Sequence, residues 1–84
     1  MKKTPETNAE FAANLFEERR SGKNCFFRIL GGNWHRIPDL DDAEQMERFL
    51  AALKRSGPLR VKVENGPEVK MWRWVWEEGW KAYN

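Results

Sequence analysis

Cys25 and His35 are the two side chains of this 84-residue chain that could together perform nucleophilic catalysis, since the chain has one cysteine and one histidine. A thiolate and an imidazole that work as a pair must lie within hydrogen-bond reach and be oriented by a third group. The sequence offers no clear third group, and a glycine turn at 31–32 would carry His35 away from Cys25. We therefore interpret Cys25 as a half-buried thiol and His35 as a surface residue.

The acidic residues offer no stronger catalytic or metal site. Asp39, Asp41 and Asp42 could bind a hard cation, but a calcium loop needs a longer run of oxygen ligands and a glycine at a fixed position. The spacing of Asp41 and Glu44 instead predicts a capping box at the start of a helix. The adjacent carboxylates at 77–78 would point to opposite faces of a strand, which is a poor geometry for paired acid–base work. We expect no enzymatic activity, no metal ion and no cofactor.

Basic and aromatic residues are the more informative set. The net charge is only +2, but in the regions 24–37 and 58–76 six Lys or Arg residues accompany only two Glu residues, and the acids fall mainly on the predicted helices and the C-terminal tail. Cationic strands interleaved with rings are typical of sheets that bind single-stranded nucleic acid. The same pattern is also typical of any solvated antiparallel sheet, whose charges protect it from aggregation.

Length and cysteine usage place limits on the protein. Eighty-four residues predict one domain, with a polar N-terminal tail at 1–7 and an aromatic C-terminal tail at 77–84. A single cysteine allows no internal disulfide, and no apolar stretch is long enough to be a signal-peptide core or a membrane span. These observations favour a cytoplasmic protein that does not enter membranes.

Hydrophobic periodicity predicts the elements that position these residues. Apolar residues recur at spacings of three and four over 8–20 and over about 42–56, which predicts two amphipathic helices. Segments 25–30 and 34–37 flank a glycine turn and indicate a short hairpin, while 59–63 and 69–76 indicate a second hairpin around Asn65-Gly66-Pro67. The predicted architecture is α+β, with two helices on one face of a small, mainly antiparallel four-stranded sheet in the order α-β-β-α-β-β.

The C-terminal region concentrates four of the five tryptophans within nine positions, 72–80. A helix over 69–83 competes with the strand, because aromatic residues also recur there at helical spacing, but Gly79 and the β preference of Trp and Val favour the strand. A turn of two or four residues at 65–68 would put Trp72, Trp74 and Trp76 on the helix-covered face. A turn of three or five residues would instead bury Arg73, which is costly for an unpaired guanidinium. We therefore expect buried tryptophans and a basic, partly apolar open face.

The expected function is binding without catalysis. Trp, Tyr, Met and Arg are enriched at the centres of protein interfaces, and this chain has them in excess of its expected core. The leading prediction is a module that docks on a larger protein or complex as an inhibitor or adaptor. In its general character, such a chain resembles accessory or phage-encoded proteins. The alternatives are a nucleic-acid-binding domain and a homodimeric structural domain. The predicted partner-binding residues are Trp34, Arg36, Arg60, Lys62, Met71, Arg73, Trp80 and Tyr83.

Overall fold

Two helices begin and end close to where the sequence predicts them. The computed structural model describes residues 7–29 and 31–83, so most of the predicted N-terminal tail lies outside the described residues. Helix α1 spans Asn8–Arg20 and helix α2 spans Ala43–Lys54. Their apolar stripes meet each other and the sheet, which buries Phe11 and Leu15 of α1 together with Met46 and Leu50 of α2.

Both helices begin at side-chain caps. The Thr7 hydroxyl accepts a hydrogen bond from the Glu10 backbone N–H at 3.1 Å, and the Glu10 carboxylate accepts one from the Thr7 N–H at 3.1 Å. This capping box pairs two backbone donors that the helix leaves free. At α2 the cap is Asp42, whose carboxylate accepts from the Gln45 N–H at 2.9 Å. The predicted cap at Asp41 is therefore wrong by one residue.

Among the residues that the structure describes, the sheet has five strands, one more than predicted, and the α+β class is as expected. Neighbouring strands are all antiparallel, in the order β2-β1-β3-β4-β5. Helix α2 carries the chain from the edge strand β2 to the central strand β3. The strands are β1 Asn24–Ile29, β2 His35–Arg36, β3 Leu59–Asn65, β4 Glu68–Val75 and β5 Gly79–Tyr83.

The fifth strand replaces the predicted aromatic tail, and the competing helix over 69–83 is wrong. Residues 76–78 form a turn between β4 and β5, and Val75 pairs with Gly79. Glu77 and Gly79 both have positive φ, at 68° and 91°, which allows the chain to reverse within three residues. Gly79, which counted against a helix in the sequence, therefore allows the chain to return into the sheet.

The register of β3 with β4 confirms the predicted parity for two of the three tryptophans. Gly66, with φ 63°, and Pro67 make a two-residue turn, so that Val61 pairs with Trp72. Trp72 and Trp74 are half-buried against the core on the helix-covered face. Trp76 lies in the next turn and is 77% exposed, so its predicted burial is wrong.

Trp80 is part of the core and is no exposed anchor. It is 1% exposed, and its ring stacks on Phe11 of α1 with centroids 4.1 Å apart and planes 17° apart. Its indole N–H donates to the Asn8 side-chain oxygen at 3.1 Å, and the Asn8 amide donates to the Glu47 carbonyl of α2 at 3.2 Å. The last strand is thus tied to both helices by one buried ring.

Replacing Trp80 by Ala is expected to lower the free energy of unfolding by about 3–5 kcal/mol, because it empties a closed site in a small core. Trp76→Ala is the matched control, since this exposed ring should contribute within about 0.5 kcal/mol. Urea denaturation followed by circular dichroism measures both variants. Equal losses in the two variants would show that Trp80 is not a core residue in solution.

Candidate binding face

Cations from four strands form one continuous row on the sheet face that is turned away from the helices, which we call the open face. The register pairs Arg28 with Arg60, Arg60 with Arg73, and Arg73 with Lys81. Paired residues of antiparallel strands share a face, so all four side chains lie on the same side of the sheet. We call these four residues the cationic row. At a strand spacing of about 4.8 Å, the row is about 14 Å long.

A second row on the open face alternates cations with rings and a thioether. Phe26 pairs with Arg36 and with Lys62, Lys62 pairs with Met71, and Met71 pairs with Tyr83. These five residues cross all five strands and constitute the mixed row. Strands β1, β3, β4 and β5 each contribute one residue to each row, and these two residues are two positions apart along the strand. The rows therefore run side by side, about 7 Å from each other.

Like charges directly opposite each other in a sheet are destabilising, so the cationic row costs the fold some stability. Glu78 reduces that cost, because its carboxylate lies 2.6 Å from the Lys81 ammonium, and in the mixed row Lys62 lies 3.2 Å from the Glu64 carboxylate. Within 7–29 and 31–83, no carboxylate lies within ion-pair distance of the other three members of the cationic row, Arg28, Arg60 and Arg73.

Tyr83 lies near two of the unpaired arginines. The guanidinium carbon of Arg60 is 5.3 Å from the centre of the Tyr83 ring, and that of Arg73 is 5.9 Å from it. Both distances are within the range of cation–π attraction. The neutral ring does not cancel the charge of the two guanidinium groups, so their positive charge remains available to an anion.

Trp34 lies near Arg28, at the other end of the cationic row, and near Lys62 in the middle of the mixed row. Its ring centre is 4.9 Å from the Arg28 guanidinium carbon and 4.8 Å from the Lys62 ammonium. The same ammonium is 5.1 Å from the centre of the Phe26 ring. The Nε of Arg28 is shielded from solvent and has no hydrogen-bond partner among the described residues. The open face therefore has a ring-and-cation cluster at each end.

The open face differs in charge from the helices. The open face carries six cations, whereas helices α1 and α2 together carry five acids and four cations. The net charge of the whole chain is only +2, and positive charge is concentrated on the sheet side. A negatively charged partner is therefore attracted to the sheet side.

The structure brings together all but one of the predicted partner-binding residues. Trp80 is the exception, because it lies in the core on the opposite face. Sequence reasoning missed Arg28 and Lys81, which complete the cationic row. Alternation along β1 could have flagged Arg28, whereas Lys81 belongs to a strand that the sequence had suggested to be a tail.

Cys25 and His35 do not form a pair. His35 pairs with Phe27, and it is the backbone N–H of Ile37 that donates to the Cys25 carbonyl, at 2.9 Å. Burial raises the pKa of the Cys25 thiol to about 11, which suppresses the reactive thiolate at neutral pH. In the part of the chain that the structure describes, no three His, Cys, Asp or Glu residues are grouped to hold a metal ion.

Comparison with known proteins does not identify a family for this chain. No protein-family model matches it, and neither a curated protein nor a solved structure is detectably similar to it. Across the described residues, no helix has the length and apolar character needed to cross a membrane.

The burial of Cys25 predicts slow alkylation by iodoacetamide in the folded state at about pH 8, and fast alkylation in urea, where the thiol has its ordinary pKa of about 8.5. Because only the unfolded thiol ionises between the two pKa values, the free energy of unfolding should fall as pH rises from about 8.5 towards 11. This fall should be smaller in Cys25→Ala. Rapid labelling of the folded protein would contradict the burial.

Proposed function

We propose that this protein is a small, non-catalytic binding module that holds an extended, negatively charged partner on the open face of its sheet. The observation that carries the proposal is the cationic row, in which Arg28, Arg60 and Arg73 have no carboxylate partner among residues 7–29 and 31–83. An anion laid along this row would relieve the repulsion within it, so that part of the binding energy comes from strain already present in the free protein.

The shape of the face supports an extended partner. The rows run straight across the strands, and the residues on them are half-buried or exposed. The like-charged neighbours of the cationic row reduce stability without a structural gain, and residues of this kind are expected at functional sites. A compact anion would contact only two or three neighbouring cations, whereas a chain can contact the whole row.

The partner could belong to a larger protein, as the sequence led us to expect. The structure reduces the basis for that expectation, because Trp72, Trp74 and Trp80 are used by the core. One observation still favours it as a second candidate: Trp76 projects from the turn between β4 and β5 with 77% of its surface exposed. Exposed tryptophans are frequent anchors of protein interfaces.

A homodimeric structural domain is the remaining proposal from the sequence. The outer edge of strand β5 could pair with a second copy, but Lys81 lies on this strand, and lysines on edge strands oppose such pairing. We also propose that the protein works in a reducing compartment such as the cytoplasm, because its single cysteine is a buried free thiol.

Binding should be tested by fluorescence anisotropy with two labelled, flexible polyanions, an oligothymidylate and a polyglutamate peptide, at a salt concentration of about 50 mM. The double variant Arg60→Gln with Arg73→Gln should weaken binding at least about tenfold, because each charge-assisted hydrogen bond from an arginine to an anion contributes on the order of 1 kcal/mol.

The matched control is Arg48→Gln with Arg55→Gln, which removes the same charge from helix α2 and its C-terminal cap. This control should bind nearly as tightly as the natural sequence. The proposal fails if neither polyanion binds, or if the two double variants weaken binding equally.

A further inference from the structure

The two parallel rows differ in chemistry, and this difference points to one class of partner. The cationic row contains only Arg and Lys, whereas the mixed row carries the rings of Phe26 and Tyr83. Resting on the proposed function, we infer that the partner is single-stranded nucleic acid that lies across the strands, with its phosphates on the cationic row and its bases on the rings.

The spacing of the rows fits this assignment. The two rows lie about 7 Å apart, which leaves room for a sugar between a phosphate on one row and a base on the other. The cationic row is about 14 Å long, so it can reach a few consecutive phosphates of a strand whose bases are unstacked from one another. Sites of a few nucleotides are at the small end of those found on other single-strand binding domains.

The rings lie where bases could stack. Tyr83 and Phe26 occupy opposite ends of the part of the mixed row that runs beside the cationic row, and both are only half-buried. Trp34 adds a third half-buried ring, above Arg28 and Lys62. Stacking tolerates any base, so this face would bind single strands with little sequence preference.

An acidic peptide would use this face less completely. Carboxylates can pair with the cationic row, but they gain nothing from the faces of Phe26 and Tyr83. A DNA duplex fits poorly for a different reason. Its bases are read by a helix or ribbon inserted in a groove, and the two helices of this fold lie on the side of the sheet opposite to the cationic row.

The decisive experiment compares three labelled probes by anisotropy at about 50 mM salt: an oligothymidylate of about twelve nucleotides, an abasic phosphate strand of equal length, and polyglutamate. The oligothymidylate should bind at least about tenfold more tightly than the abasic strand, because the abasic strand cannot stack. The same sequence annealed into a duplex should bind more weakly than the single strand.

Two ring variants test the stacking itself. Phe26→Leu and Tyr83→Leu should each reduce the preference for oligothymidylate over the abasic strand by about fivefold or more and leave affinity for the abasic strand nearly unchanged. Phe16→Leu is the matched control, since this half-buried ring on α1 also lies near an arginine, with the Arg20 guanidinium carbon 5.9 Å from its centre. It should keep the full preference.

Salt dependence tests the phosphate contacts. Between about 50 and 200 mM salt, the slope of log affinity against log salt should be shallower by about two in Arg60→Gln with Arg73→Gln than in the natural sequence. An unchanged slope would contradict phosphate contacts at these two arginines.

The outcomes separate this inference from the proposed function. If polyglutamate or the abasic strand binds as tightly as oligothymidylate, and the double variant Arg60→Gln with Arg73→Gln weakens that binding, the face binds anions and the inference of stacked bases is wrong. If duplex binds as well as single strand, the inference is also wrong. If no probe binds, both the inference and the proposed function fail.

Discussion

The register of the central hairpin is the constraint on which the rest of the structure depends. The two-residue turn at Gly66-Pro67 places Val61 opposite Trp72 and, in the same step, Arg60 opposite Arg73. Side chains alternate between faces along a strand, so a slip of one residue would expose the tryptophans and bury the arginines. The core and the cationic row are therefore two results of one turn. A change that lengthens the turn by one residue would remove both.

The aromatic surplus that dominates the sequence serves mainly the small core. A chain of this length has little interior, and each large ring supplies about 150–250 Å² of buried area. Phe11 contacts both Trp72 and Trp80, with ring centroids 5.2 and 4.1 Å away, and Trp74 meets Trp80 edge to face at 5.6 Å. This cluster joins β4 and β5 to α1. With those rings used inside, the charge pattern of the open face becomes the most informative feature for function.

The sequence was sufficient for the features that depend on local pattern. Both helices, the hairpin of β3 and β4 and the inward direction of Trp72 and Trp74 follow from periodicity and turn chemistry. The burial of Trp80 could not be predicted in this way. It depends on a three-residue turn that contains a glutamate with positive φ, and the sequence carries no clear signal for that conformation.

The full extent of the cationic row was hidden, for a topological reason. Arg28 and Arg60 are neighbours only because α2 returns the chain to the free side of β1, so that β1 separates β2 from β3. Long-range pairing of this kind is set by how whole elements pack, and the alternation of one strand cannot reveal it. Sequence reasoning could recognise that individual strands were basic, whereas only the register shows that their charges are aligned.

The most direct test of the central claim is to locate the contact surface by amide proton–nitrogen correlation NMR while oligothymidylate is added to the isotope-labelled protein. The account predicts that the shifting signals belong to β1, β3, β4 and β5, with the largest changes at Arg28, Arg60, Arg73 and Tyr83, and that the signals of α1 and α2 stay in place. Changes confined to the helices, or to the turn that carries Trp76, would contradict it.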